Sequence, residues 1–197
     1  MFSPITSVWT VGNQWTYTVE SQQNVNGKTQ TGKGEVTFKV VNVKPAGGGT
    51  QATLEVSSGG KVTDTQVWLQ NDKGLYQVSV GKDKSPYTPM QPQIMFPVEA
   101  GKKYTWKGTG ITPAAKTGTM TMKSEILGPQ EVDTDMGPMS GIAIESFTSA
   151  RVDNQTVTAT STTWWGPKKG LIRYRQASGF GNTQTIQILK LKSFSIK

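Results

Sequence analysis

The 197-residue sequence contains neither cysteine nor histidine. Without cysteine there are no disulfide bonds, thiolate metal sites or thiol nucleophiles. Without histidine the chain lacks the side chain that most often serves as a general base near neutral pH, as a zinc ligand and as the base of a Ser-His-Asp triad. These absences exclude most hydrolase and metalloenzyme classes. We therefore predict a protein that is not an enzyme and that carries no metal and no cofactor.

Long apolar runs and acidic residues are also scarce. No stretch reaches the roughly 18 apolar residues of a membrane-spanning helix, and residues 1–10 lack the basic start and apolar middle of a secretion signal. The chain has 21 lysines and arginines against 13 acidic residues, a formal net charge of +8. A surface of this sign attracts anions such as phospholipid headgroups or nucleic acid.

Helix-forming runs of Ala, Leu, Glu and Lys are missing as well, whereas Thr, Val, Gly and aromatic residues are abundant, which favours strands. We predict an all-β protein, with turns at the Gly- and Asn-containing dipeptides between the strands. The predicted strands are 14–20, 34–43, 50–57, 64–70, 74–80, 103–108, 118–126, 141–149, 155–164, 170–176 and 184–195. The proline-rich stretch 86–97 is predicted to be a crossing segment, because proline has no N–H to donate to a β-ladder.

Two halves of the chain resemble each other. VGNQWTY at 11–17 matches AGKKYTW at 100–106, and QVWLQNDKGL at 66–75 aligns without a gap with TTWWGPKKGL at 162–171. We predict one domain over 1–197, with repeats at about 1–85 and about 90–182 and a C-terminal strand at 184–195. The gapless alignment places Trp68 on Trp164. It leaves Trp165 as the better candidate for contact with a molecule outside the fold.

Side chains alternate between the two faces of a strand, and one face of several predicted strands is apolar. A single antiparallel sheet of about eleven strands has to cover that face, and no helix is available to do so. We predict a strongly curved sheet or half-open barrel whose concave face leaves a channel for a ligand; a closed, well-packed barrel or sandwich explains the same pattern. The predicted ligand-binding residues are Trp165, Tyr174, Phe38, Met120, Met122, Leu54 and Ile144.

Basic residues concentrate near the C-terminus, where they alternate with Trp165 and Tyr174. They are predicted to contact an anionic headgroup or membrane surface. A basic sheet edge that prevents pairing with other molecules explains the same pattern, and nucleic acid is the weaker alternative. The residues concerned are Lys168, Lys169, Arg173, Arg175, Lys190 and Lys192.

Three motifs resemble those of a broad group of bacterial envelope proteins of unknown function. They are an opening G-N-x-W-T-Y at 12–17, a hairpin W-x-x-P-x-x-G-L-I at 164–172 and a closing L-x-S-F at 191–194. The group is similar in turn to the curved half-barrels of the lipoprotein-carrier (LolA/LolB-like) type. The resemblance implies an exported protein of the periplasm or cell envelope, and a concave face that shelters acyl chains.

Together these observations predict a noncatalytic cell-envelope protein that binds a lipid or another hydrophobic ligand in an apolar cavity. Two alternatives remain open at this stage. One is a carbohydrate or cell-surface binding module that uses exposed aromatic residues, Trp165 above all. The other is a structural subunit without a ligand.

Overall fold

The computed structural model describes residues 8–83 and 85–197. Residues 1–7 and Lys84, which the single-domain prediction also covers, lie outside the described residues. The described residues form one closed antiparallel barrel of twelve strands, which confirms the predicted all-β class. The strands are β1 (Gln14–Val25), β2 (Lys28–Ala46), β3 (Gly49–Ser58), β4 (Lys61–Asn71), β5 (Gly74–Val80), β6 (Ser85–Met95), β7 (Lys103–Ile111), β8 (Thr117–Thr134), β9 (Gly137–Val152), β10 (Gln155–Gly166), β11 (Gly170–Phe180) and β12 (Thr183–Ser195).

Each strand lies beside the next one along the chain, and β12 pairs with β1 to complete the ring. Every predicted strand overlaps an observed one. The additional strand is β6, which coincides with most of the proline-rich stretch predicted to cross between two halves. Because this stretch takes a place in the ring, the barrel is closed where the sequence predicted a half-open one.

The junction between β6 and β7 is the weakest part of the ring. Among the described residues these two strands pair at a single position, Thr88 with Thr109, whereas β8 and β9 pair along fifteen positions. Three prolines in β6 supply no N–H for a ladder, which accounts for the missing pairs. The prediction that this stretch is a crossing segment was therefore wrong, since β6 pairs with β5 at six positions, although its prolines do limit its pairing with β7.

Aromatic side chains replace the missing ladder bonds at this junction. Each one donates a hydrogen bond to a backbone carbonyl oxygen on the opposite strand. The three bonds run from the Tyr104 hydroxyl to Gln93 O (2.8 Å), from Trp106 Nε1 to Pro89 O (3.1 Å) and from the Tyr87 hydroxyl to Ile111 O (3.3 Å). Glycine makes room for these rings, since a Cβ at Gly110 would lie 2.2 Å from Cδ1 of Tyr87.

The interior contains two apolar clusters at opposite ends of the barrel. The larger cluster lies where β1 begins and β10 ends, and includes Trp15, Trp165 and Ile144. The smaller cluster lies where β8 begins and β9 ends, and includes Trp106 and Met120. Space for a cavity remains between them.

The opening motif has a structural explanation in Asn13, which is 1% exposed. Its Nδ2 donates to Val8 O at 2.7 Å, and its Oδ1 accepts from the backbone N of Lys197 at 2.9 Å. Its own carbonyl accepts from the backbone N of Val40. One buried amide thus joins the segment before β1 to β2 and to the last residue of the chain.

Strands β1–β6 and β7–β12 form two sets of six in the same order. Trp15 and Tyr104, which the repeat aligns, lie near the starts of β1 and β7, and the aligned hairpins are β4–β5 and β10–β11. The topology places the aligned segments on corresponding strands, while the duplication itself stays a prediction.

We predict that Tyr104→Phe lowers the free energy of unfolding by about 1–2 kcal/mol, because Gln93 O loses its donor across a junction that has few ladder bonds. Chemical denaturation of the two proteins measures this difference. Tyr76→Phe is the matched control, since among the described residues the Tyr76 hydroxyl bonds to the weak acceptor Met95 Sδ alone, at 3.7 Å. Equal losses in both variants would contradict the role assigned to the junction.

Candidate binding cavity

The barrel contains a partly open cavity of about 570 Å³ between its two apolar clusters. This volume falls within the range of small-molecule sites in proteins, roughly 300–1,000 Å³. All twelve strands contribute residues to its wall, and the loop after β7 adds Thr112, Pro113 and Ala115. The cavity is therefore formed by the barrel as a whole and by no single motif.

Four tryptophans close one end of the cavity, and we call this the tryptophan end. Neighbouring rings lie 6.0–6.3 Å apart between centroids, a spacing typical of favourable aromatic pairs. Trp15 Nε1 also donates to Lys169 O at 2.6 Å, which ties β1 to the turn before β11. The four residues are Trp9, Trp15, Trp68 and Trp165.

The structure reverses the predicted roles of the two adjacent tryptophans. Trp165 is 4% exposed and meets Trp68 inside the barrel, so it is not available as an exposed platform. Trp164 instead lies on the outer face, where its Nε1 donates to Gln130 and the Arg173 guanidinium stacks over its ring. The carbohydrate-module alternative, insofar as it relied on an exposed Trp165, was wrong.

Turn length explains this error. Two residues separate Asn71 from Gly74 in the β4–β5 turn, whereas three separate Gly166 from Gly170 in the β10–β11 turn. An odd difference in length changes which face a residue at a given distance from the turn occupies. Each hairpin also has a register shift beside its tryptophan, between Val67 and Trp68 in β4 and between Trp164 and Trp165 in β10. The gapless alignment preserved the distance from each tryptophan to the following leucine but not the face.

Most of the predicted ligand-binding residues lie around the cavity. Ile144 is the exception: it is 1% exposed, belongs to the packed cluster at the tryptophan end and does not line the cavity. It pairs with Ile126 on β8, and neighbouring side chains of the same cluster cover it. The predicted residues that do line the cavity are Phe38, Leu54, Met120, Met122, Trp165 and Tyr174.

Two groups of polar side chains, which sequence reasoning missed, also line the cavity. The first, on β4–β6, is called the amide wall and consists of Gln66, Gln77, Gln91 and Gln93. The second, on β9–β12, is called the hydroxyl wall and consists of Ser146, Thr148, Ser161, Thr163, Gln176 and Gln187. Since β5 and β11 are six strands apart in a ring of twelve, the two walls face each other.

The alternation of side chains along each strand could have predicted these polar cavity residues from the sequence. Gln66 lies two residues before Trp68, and Thr163 lies two residues before Trp165, so each shares the inner face of its strand. Polar residues on strands are usually assigned to the solvent face. Once the tryptophans are known to point inward, the same period of two places these polar side chains inside.

The charges of the molecule are distributed unevenly between the inside and the outside. Of the described residues that line the cavity, Asp64 is the charged one; no lysine or arginine lines it. The predicted basic residues do not reach the cavity. A ligand in the cavity would therefore meet amides, hydroxyls and apolar groups, with a single carboxylate at one side.

Several of the predicted basic residues have partners on the outer surface. Lys190 pairs with Glu20 at 3.2 Å, and Lys192 pairs with Glu35. Arg173, besides stacking on Trp164, donates from Nη1 to Asp133 O. Lys168, Lys169 and Arg175 form no ion pair with any described residue. Contact with an anionic membrane surface stays a prediction, and these three residues are the ones free to make it.

Burial raises the pKa of the tyrosines inside the barrel. It raises the pKa of Tyr87 to about 12, with a smaller contribution from the charge of Asp64, and that of Tyr104 also to about 12. Burial likewise raises the pKa of Tyr17 and Tyr174 above the ordinary value. The phenols therefore stay neutral donors at physiological pH, as the Tyr17 hydroxyl does in its 2.7 Å bond to Leu171 O.

Comparisons with known proteins bear on the fold. No family model matches the chain, and no curated protein matches it significantly. Solved structures with a similar fold include a candidate lipoprotein from Parabacteroides distasonis ATCC 8503, with 13% identity, a TM-score of 0.53 and coverage of 95% of this chain and 96% of that one. Another is a candidate exported protein with a YmcC-like fold from Bacteroides fragilis NCTC 9343, with 12% identity, a TM-score of 0.50 and coverage of 94% and 96%.

At these identities the comparison shows a shared fold and nothing further about this chain. The descriptions of the two neighbours agree with the predicted resemblance to bacterial envelope proteins. The likeness to lipoprotein carriers stays a prediction. No helix formed by residues 8–83 and 85–197 is long and apolar enough to span a membrane.

We predict that the protein loses stability as the pH rises from about 10 to about 12. Unfolding exposes the tyrosines and returns their pKa to about 10, so the unfolded chain releases protons that the folded chain retains. Their contribution is fully present below pH 10 and declines above it, by up to about 1.4 kcal/mol per pH unit for each tyrosine. Denaturant unfolding across this range measures the decline.

Tyr87→Phe is the control for this prediction, because it removes one of the buried phenols and should make the decline less steep. Ultraviolet absorbance of tyrosinate provides an independent measurement on the native protein. Titration of all five tyrosines near pH 10 in the folded state would contradict the prediction.

Proposed function

We propose that this chain is a noncatalytic cell-envelope protein that binds a small, partly apolar ligand inside the barrel. The observation that carries the proposal is the partly open cavity of about 570 Å³ inside the barrel, which the barrel's own side chains leave unfilled. Packed protein interiors contain few voids larger than a water molecule. A space of this size is therefore more than a packing defect.

Apolar contacts supply the affinity in this proposal. Val36, Phe38 and Val56 on β2 and β3 contribute to one side of the cavity, and Met120 and Met122 on β8 contribute to another. Burial of ligand CH₂ groups against such side chains contributes about 0.8 kcal/mol per group. Methionine adapts to ligands of different shape because it is unbranched and flexible.

The placement in the cell envelope rests on two supports. The motifs at 12–17, 164–172 and 191–194 resemble those of envelope proteins, and the similar solved structures are described as a candidate lipoprotein and a candidate exported protein. The absence of cysteine and histidine supports a binding role over a catalytic one.

We predict that Ser161→Phe abolishes binding, because Ser161 lines the cavity and its side chain forms no hydrogen bond with any described residue. A phenylalanine there fills part of the space that a ligand needs. Native mass spectrometry of freshly purified protein detects retained molecules, and fluorescence of the tryptophans around the cavity reports the binding of added ones.

Thr160→Phe is the matched control, since Thr160 is the adjacent residue on the same strand and is exposed on the outer face. We expect ligand retention and binding to survive in this variant. The proposal fails if the wild-type protein carries no small molecule and binds none of n-octyl β-D-glucoside, 1-octanol and octanoate, or if both variants bind as the wild type does.

A further inference from the structure

The two polar walls of the cavity retain much of their hydrogen-bonding capacity. A glutamine side chain offers two N–H donors and a carbonyl acceptor. Gln77 and Gln187, on opposite walls, form no side-chain hydrogen bond with any described residue. The amide groups therefore face the cavity with donors and acceptors that the fold itself does not use.

Two further glutamines of the walls are each held in place by a single side-chain hydrogen bond. Gln66 Oε1 accepts from Trp68 Nε1 at 3.1 Å, and Gln176 Oε1 accepts from the Tyr174 hydroxyl. Each of these bonds uses the carbonyl oxygen, which leaves the amide N–H groups free. The tryptophan and tyrosine thus orient the two amides so that their donors remain available to a ligand.

A saturated acyl chain matches such a cavity poorly. It would displace water from the amides and hydroxyls without replacing the hydrogen bonds, and burial of an unpaired polar group is unfavourable. An anionic headgroup matches it poorly too, since no described lysine or arginine lines the cavity and Asp64 would repel a negative charge.

A neutral molecule with hydroxyl groups fits both features. Its hydroxyls can donate to the amide oxygens and accept from the amide N–H groups, and its apolar portions can contact the valine and methionine side chains between the walls. Sugars present this combination, with hydroxyls around the rim of a ring whose faces are less polar. The facing walls are placed to bond opposite edges of such a ring.

We propose that the cavity binds a neutral, hydroxyl-rich amphiphile of the glycoside class. The inference rests on the proposed function, since it names the kind of ligand that the cavity accepts. It differs from the lipid or other hydrophobic ligand that the sequence alone led us to expect. The amide wall and the hydroxyl wall supply the selectivity, and the apolar sides between them supply the general affinity.

The experiment compares three probes with the same chain length: n-octyl β-D-glucoside below its micelle-forming concentration, 1-octanol and octanoate. Calorimetry or tryptophan fluorescence measures each dissociation constant on the full chain. We expect the glucoside to bind roughly tenfold or more tightly than octanoate, because only the glucoside satisfies the amides and carries no charge.

The double substitution Gln77→Leu and Gln187→Leu tests the walls directly. It should weaken glucoside binding by roughly tenfold or more and leave octanol binding unchanged or improved, since leucine is close in size to glutamine but offers no hydrogen bond. Gln184→Leu is the matched control on the outer face of β12, where the side chain is exposed. It should change neither dissociation constant.

The results separate this inference from the proposed function. Octanoate binding as tightly as the glucoside, with competition between them and loss of both in Ser161→Phe, would overturn the glycoside class and leave the cavity as a binding site. Failure of all three probes to bind, with no molecule retained on purification, would overturn the proposed function and the inference together. The ranking of the probes needs only the wild-type protein, so misfolding of a variant does not obscure it.

Discussion

The width of a twelve-stranded ring governs how this protein is built. Barrels of about eight strands are just wide enough for their own side chains to fill, and larger rings leave space inside. Here four tryptophans occupy the space at one end, with their rings 6.0–6.3 Å apart. Methionines and a second aromatic group occupy part of the other end. The cavity between them is the volume that neither cluster reaches.

Closure of this ring depends on contacts that compensate for the prolines of β6, which supply no N–H to the ladder with β7. A strand without enough N–H donors cannot form a regular ladder, and an open ring would expose two sheet edges to other molecules. Tyr87, Tyr104 and Trp106 close the gap by donating to carbonyl oxygens across it. Tyr87 also lines the cavity, so the residues that seal the barrel belong to the wall that a ligand meets.

The chemistry of the interior differs from that of the outer surface. Positive charge dominates the sequence as a whole, yet the lining of the cavity is composed of amides, hydroxyls and apolar groups with Asp64 as its charged residue. Neutral polar groups cost less to enclose than charged ones, provided that hydrogen bonds are available. This separation makes the cavity suited to neutral molecules, while the outer basic residues interact with carboxylates, with Trp164 or with solvent.

Local sequence determined the strands and their alternation, because β-propensity and a period of two are properties of neighbouring residues. It therefore predicted the all-β class, eleven of the strand positions and six of the residues that line the cavity, including Phe38, Leu54 and Met120. Only the tertiary structure decided that the ring closes, that Trp165 points inward and that glutamines from β4 and β12 share one cavity. These features depend on turn lengths and on which strands become neighbours or face each other around the ring, and such relations between distant segments are fixed by packing of the whole chain.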